Sequence, residues 1–271
     1  MKKIFIFFSM LAAYNYTWAQ ELFVFSEPAS NMATKSIGLR LNNNFERQDI
    51  SGRYIYYLNP EIMWGTSKKL MIHAEGYFNN SASALKATGG GIYGKYRFYS
   101  DDDVHTHFRM AAYARLAFNN SPMMQRAIDF DECNSGYEAG MVATKLLNKI
   151  ALSAGASIIH ATNNGNGNKF LYGNSQRNAV AYNFSFGKLL LPKEYVSYNQ
   201  ANVNFMLEVL GQTNLATGKN FTDLAPSLQF IFLSKMRVDM GYRFALLKDL
   251  QRTTTQGFLV RVEYNFFNAF K

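Results

Sequence analysis

Phe258-Leu259-Val260-Arg261-Val262-Glu263-Tyr264-Asn265-Phe266, near the end of the chain, decides the fold. Side chains of a β-strand alternate between faces. Phe258, Val260, Val262, Tyr264 and Phe266 therefore share one face, and Arg261, Glu263 and Asn265 the other. Charges set mid-strand beside an unbroken apolar row suit a lipid-facing exterior and a polar interior. Just upstream, Val238, Met240, Tyr242 and Phe244 oppose Arg237, Asp239, Gly241 and Arg243. The pattern recurs at Phe108, Met110, Ala112, Ala114 and Leu116 against Arg109, Tyr113 and Arg115. Ile92, Tyr96 and Phe98 likewise oppose Tyr93, Lys95 and Arg97.

The alternation predicts strands near residues 35–45, 53–64, 69–78, 89–99, 104–118 and 137–145. Six more are expected near 150–160, 178–188, 202–210, 224–234, 236–245 and 256–267. Each is about ten residues, the length of a tilted membrane strand. The expected fold is all-β, a single closed antiparallel transmembrane β-barrel of about 12 strands, an even number that brings both chain ends to one side. Short connections at 65–68, 146–149 and 234–235 alternate with longer ones at 119–136, 161–177 and 211–223, matching short periplasmic turns and long outer loops. The long connection 189–201 breaks the rule and leaves ten or fourteen strands as alternatives.

Composition supports this reading. Apolar residues make up 48% of the 271, yet mean hydropathy is −0.17. The apolar content is therefore dispersed, and no run after residue 19 is long enough for a membrane helix. The 17 Tyr and 23 Phe suit aromatic girdles at two lipid–water interfaces. A soluble β-sandwich or lipocalin-like barrel also alternates, with the apolar face inside. The export signal, the strand number, the aromatic load and the aromatic last strand favour the membrane barrel.

Lys2 and Lys3, the apolar residues 4–13, and the small residues at Thr17 and Ala19 form a signal peptide over 1–19, with Gln20 the first mature residue. No cysteine follows the apolar core, so this is not a lipoprotein signal. Residues 20–34 carry Pro28 and the apolar Leu22, Phe23, Val24 and Phe25. They form a plug in the lumen, a segment along the periplasmic rim, or a disordered leader; the barrel is 35–271. The lone Cys133 excludes an intramolecular disulfide and a cysteine metal cluster. Loss of Lys2 and Lys3 lowers the formal charge from +9 to +7. In an exported chain that charge meets outer-membrane lipid, lipopolysaccharide or a small acidic solute. No motif points to nucleic acid, and nothing in the pattern sets an oligomeric state.

The stretch Phe23, Ser26, Glu27, Pro28, Ala29, Ser30, Asn31, Met32, Lys35, Ser36, Ile37, Gly38, Leu39 and Arg40 resembles the mature N-terminus of uncharacterised outer-membrane β-barrel proteins of Bacteroidota. Those proteins are grouped with outer-membrane transporters. The resemblance implies a Gram-negative outer membrane and a barrel; it brings neither a substrate nor catalytic residues.

Parity places Arg40, Arg53, Lys95, Arg97, Arg109, Arg115, Arg243 and Arg261 in the lumen. Glu61, Glu75, Glu138, Glu208, Asp239 and Glu263 join them. A basic wall attracts anions, which predicts a porin-like passive transport or solute-binding role. The alternative is a lumen filled by Arg–Glu pairs, a plugged barrel with a structural or surface-interaction role. His105 and His107 beside Asp101, Asp102 and Asp103 in an expected turn are a weak metal signal, and no metal or cofactor is expected. His73 and Glu75 on one face could act as a base and its orienter, but no serine is placed beside them and His160 sits at a strand end. Lipid hydrolysis is the minor alternative, and no enzyme is expected. Gly89, Gly91 and Gly94 fit G-x-G-x-x-G formally, but they open a strand rather than a helix. The polar loop 161–174 is expected to solvate the outer mouth.

Overall fold

Aromatic and β-branched residues alternating with polar ones favour an extended backbone with two unlike faces. The computed structural model describes residues 23–81, 83–103, 106–170, 172–194 and 200–270. The expected signal peptide, its cleavage before Gln20, and His105 lie outside the described residues. Within them run β1 (Ile37–Gln48), β2 (Tyr54–Gly65), β3 (Leu70–Asn79), β4 (Lys86–Asp102), β5 (Thr106–Asn119) and β6 (Gly136–Leu147). There follow β7 (Ile150–Ala161), β8 (Asn178–Leu191), β9 (Asn202–Asn214), β10 (Asn220–Phe232), β11 (Met236–Lys248) and β12 (Thr254–Phe266). All twelve expected strands are present. Each pairs antiparallel with its sequence neighbours, and β1 pairs with β12 from Ile37↔Phe266 to Phe45↔Phe258, closing the barrel. Closure removes the free edge whose unpaired N–H and C=O groups a bilayer could not satisfy.

The two faces have the polarity of a membrane protein. Leu39, Phe45, Ile92, Leu116, Ile158, Phe184, Met240 and Phe266 are exposed on the outside. Arg40, Lys95, Arg109, Glu208, Gln229, Asp239 and Glu263 are buried inside. A lipocalin-like barrel has the opposite arrangement, so that alternative fails.

Both ends of the barrel wall, β1 and β12, start and finish at the end with the short turns. Three features differ from the sequence expectation. The connection expected at 211–223 is only residues 215–219, because β9 runs on to Asn214 and β10 starts at Asn220. Polar strand ends such as Gln212 and Asn214 keep the ladder going beyond the apolar band. Asp101 and Asp102 lie in β4, paired with Phe108 and His107, rather than in a turn. Between Arg97 and Tyr99 the β4–β5 register shifts, and this bulge changes the facing of the strand end.

The bilayer alone must tolerate the outer face, so a charge there is costly. Val260→Arg, in the middle of β12, is expected to lower unfolding free energy by about 2–4 kcal/mol. Equilibrium urea unfolding in lipid vesicles measures it, and an unchanged midpoint would place that face away from lipid.

Candidate functional site: a chamber inside the lumen

The segment before β1 enters the barrel, and inward side chains of seven strands bind it. Glu208 on β9, fully buried, accepts the Val24 and Phe25 N–H groups at 2.8 Å each through Oε1, and the Ser26 hydroxyl at 2.7 Å through Oε2. Ser26 also meets Ser185 of β8 at 2.9 Å. Arg237 of β11 donates to the Phe23 carbonyl at 3.1 Å. Lys95 of β4, 0% exposed, donates to the carbonyls of Pro28 (2.5 Å) and Ser30 (2.9 Å). The Ala29 N–H donates to Thr144 of β6 at 2.9 Å, and Arg109 of β5 donates to the Ser30 hydroxyl at 2.9 Å. Glu27 pairs with Arg40 of β1 at 2.7 Å and lies 3.6 Å from Lys95. Burial by itself would raise the Glu27 carboxyl, but Arg40 and Lys95 hold it well below the usual range. Met32 packs on Met63 and Met71, and the chain then leaves the lumen past Gly65. A Cβ at Gly65 would stand 2.0 Å from the Ala33 carbonyl oxygen, so only glycine permits that approach. The segment is a plug.

From the other end, the β5–β6 connection, residues 120–135, folds inward. Ile128 exchanges two hydrogen bonds with the Gln212 amide of β9, at 2.8 and 2.9 Å. Asn59 of β2 donates to the Asp131 carbonyl at 3.0 Å, Arg115 of β5 pairs with the Asp131 carboxylate, and Arg243 of β11 reaches Glu132 at 3.4 Å. These partners stand on well-separated strands, so the loop crosses the lumen. The 161–174 loop locks it rather than simply solvating the mouth. Buried Asn164 donates to the Ser121 and Cys133 carbonyls and accepts from the Ser135 N–H, while Phe170 packs with Met123, Ile128 and Phe130.

Between plug and loop remains a cavity of ≈ 210 Å³. Its wall carries Glu27, Glu61 and Glu75 toward the plug, and Glu46, Asp129, Asp131 and Glu132 toward the loop. The guanidiniums on it are Arg40, Arg115, Arg243 and Arg261. Arg40 serves Glu27, Glu61 (3.2 Å) and Glu263 (2.9 Å); Arg115 serves Glu75 (2.6 Å) and Asp131; Arg243 serves Glu46 (2.8 Å) and Glu132. Arg261 donates to Asn42 at 2.5 Å and lies 3.8 Å from Asp239. Burial raises the Asp129 carboxyl to about 6, helped by repulsion from Asp131. Burial also lifts Glu132 well above the usual range, with Asp129 and Glu46 adding to it.

The sequence-expected lumen residues divide by role. Arg40, Glu75, Arg115, Arg243 and Arg261 line the chamber with Glu61, whereas Lys95, Arg109 and Glu208 hold the plug. Asp239 and Glu263 stand behind the wall, Asp239 on Arg237 at 2.7 Å. Glu138 accepts from Ser157 and Tyr113 to one side. Two placements fail. Arg53 precedes β2 in an exposed turn and donates to the Asn80 carbonyl, because β2 begins at Tyr54. Arg97 sits at the bulged rim of β4, its guanidinium on the Lys68 carbonyl at 2.8 Å. Sequence reasoning missed Glu46, which continues the inward parity of Arg40, Asn42 and Asn44 past residue 45, and the loop acids, which no periodicity marks.

Glu61, His73 and Glu75 each offer a ligand atom, all within 4.8 Å of one another, a donor set suited to a transition metal. Arg40 and Arg115 compete for the two carboxylates. His73 Nδ1 faces Glu61 Oε2 at 3.4 Å, so Glu61 rather than Glu75 orients the ring. His107 is buried at the start of β5. Gly89, Gly91 and Gly94 lie within β4 and open no helix.

No protein-family model matches the chain, and no curated protein matches it. Among solved structures it is similar to the COG4313 outer membrane channel from Pseudomonas putida F1, with a TM-score of 0.58 and 11% identity over 90% of this chain and 100% of that one. It is also similar to the NanC porin, with a TM-score of 0.50 and 9% identity over 84% of this chain and 98% of that one. At such identities the likeness is one of fold. The chain is a twelve-stranded barrel of the outer-membrane type.

Two outcomes are expected. Lys95→Met leaves the Pro28 and Ser30 carbonyls without this donor inside the barrel, a loss of about 1–3 kcal/mol. Hydrogen exchange over residues 23–34 should quicken correspondingly, and unchanged protection would mean the plug is held elsewhere. For the loop, the folded state keeps the Asp129 proton up to pH about 6, whereas a free aspartate releases it near pH ~4. The folded state therefore binds more protons between those values, and loop docking weakens as pH rises through them. Proteolytic nicking of 120–135 should be faster at pH 7 than at pH 5, and Asp129→Asn should flatten that slope.

Proposed function

We propose that the protein is an outer-membrane barrel for passive passage of one small polar solute, which rests in a luminal chamber closed by the plug below and the inward loop above. The chamber carries this reading: a ≈ 210 Å³ space with a charged wall is retained between the plug and the inward loop. A barrel meant only to be solid has no reason to keep such a space. The resemblance in fold to an outer membrane channel and a porin supports it. The outward apolar girdle would face outer-membrane lipid and lipopolysaccharide.

Passage requires the plug to yield. Phe23, Val24 and Met32 pack on apolar wall residues, but most of its attachments are hydrogen bonds and ion pairs, which exchange with water more readily than an apolar core does. The density of those attachments favours a second reading, a permanently closed barrel with a structural role. Planar-bilayer recording separates the two. Native protein is expected to open rarely. Glu208→Ala, which removes the acceptor for two N–H groups and a hydroxyl, is expected to give sustained conductance at least about tenfold above native. A heat-modifiable electrophoretic shift verifies that the variant is folded. A folded, inserted Glu208→Ala barrel that stays silent would leave the structural reading.

A further inference from the structure

We infer that the chamber selects a small organic cation, an ammonium carried on a hydroxylated frame, and not an anion. This rests on the chamber being a solute site and names the class of solute.

Charge is the first observation. Seven carboxylates and four guanidiniums share the cavity wall, so the basic lumen expected from strand parity is reversed once the loop and the plug add their acids. Four of those acids, Glu27, Asp129, Asp131 and Glu132, lie outside the strands. Toward the loop, Arg115 and Arg243 serve Glu46, Asp131 and Glu132, Arg115 is shared with Glu75 as well, and Asp129 has no ion-pair partner among the described residues. Carboxylates in excess within a low-dielectric space must take up protons or hold a cation. The raised Asp129 and Glu132 carboxyls report the same shortage of positive charge.

A second, independent observation points to a ligand richer than a bare ion. Three buried side chains on the chamber wall keep polar atoms without a hydrogen-bond partner: His73 Nε2, Asn59 Oδ1 and the Tyr93 hydroxyl. These residues are 2%, 4% and 7% exposed. Unpartnered polar atoms at that depth are costly, and a solute with hydroxyl groups would satisfy both donors and acceptors once these wall side chains turn toward it. At ~30 Å³ per water the ≈ 210 Å³ cavity holds about 7 waters, the volume of a monosaccharide-sized solute. Arg261, with one hydrogen bond and a distant Asp239, adds a donor for an oxygen of the same solute.

Three probes of matched size and different charge test the idea: glucosamine at pH 6.5, glucose and gluconate. Each is titrated calorimetrically into the full mature barrel in detergent. Glucosamine is expected to bind at least tenfold more tightly than glucose, with gluconate weakest. Asp129→Asn, a loop substitution remote from barrel pairing, is expected to weaken glucosamine at least fivefold and glucose by less than twofold. Equal affinities, a preference for gluconate, or no binding by any probe would overturn the inference, as would an Asp129→Asn variant that binds glucosamine like native. Swelling of proteoliposomes carrying native or Glu208→Ala barrel, in the same three solutes, tests passage separately. Binding of glucosamine without swelling would reject transport and keep the cation site. Swelling equal in all three solutes would keep transport and reject selectivity.

Discussion

Every charged side chain placed inside this barrel must find a counter-charge or a hydrogen-bond partner there, because lipid lies on one side of the wall and little water on the other. The architecture follows from that constraint. Arg40 collects three carboxylates, Arg237 sits between Asp239 and Glu263, and Arg252 takes Asp223 in two contacts of 2.5 and 2.7 Å. Antiparallel pairing makes such clusters cheap to assemble, since Arg40 stands directly between Glu61 and Glu263 on the flanking strands.

The same constraint explains what fills the lumen. Lys95 is fully buried and takes backbone carbonyls of the plug, while Glu208 takes plug N–H groups. A buried charge on the wall thus takes polar groups of a chain segment, and that segment gains its place in return. The polar atoms of the plug are used this way from the Ser26 hydroxyl to the Ser30 hydroxyl. At the outer end the balance is incomplete, and the surplus of carboxylates around Asp129 is where the chamber lies.

Much of the barrel was legible in the sequence because period two is local. Each strand announces its own two faces, and the twelve segments were all recoverable, with boundaries off by a few residues where polar ends such as Gln212 and Asn214 extend the ladder. Arg97 keeps the inward parity of Lys95, opposite Ala111, but stands at the rim just before the bulge with its guanidinium on the Lys68 carbonyl, and Arg53 lies outside because the strand begins one residue later than its pattern implied. The candidate site was legible only in part. Its strand-borne arginines and Glu61 and Glu75 follow from alternation, whereas Asp129, Asp131 and Glu132 sit in a loop whose composition resembles any polar surface connection.

By itself the sequence determined an all-β chain of about twelve strands, each with one apolar and one charged face, since these depend on the alternation of neighbouring residues; the count of twelve, their closure and the outward facing of the apolar rows came with the pairing of β1 and β12. Only the tertiary structure decided that the lumen is shut at both halves and that its remaining space is acidic rather than basic. That outcome depends on which distant segments fold into the lumen, as with Ser26 on Glu208 or Ile128 on Gln212, and contacts across so many residues leave no periodic trace in the chain.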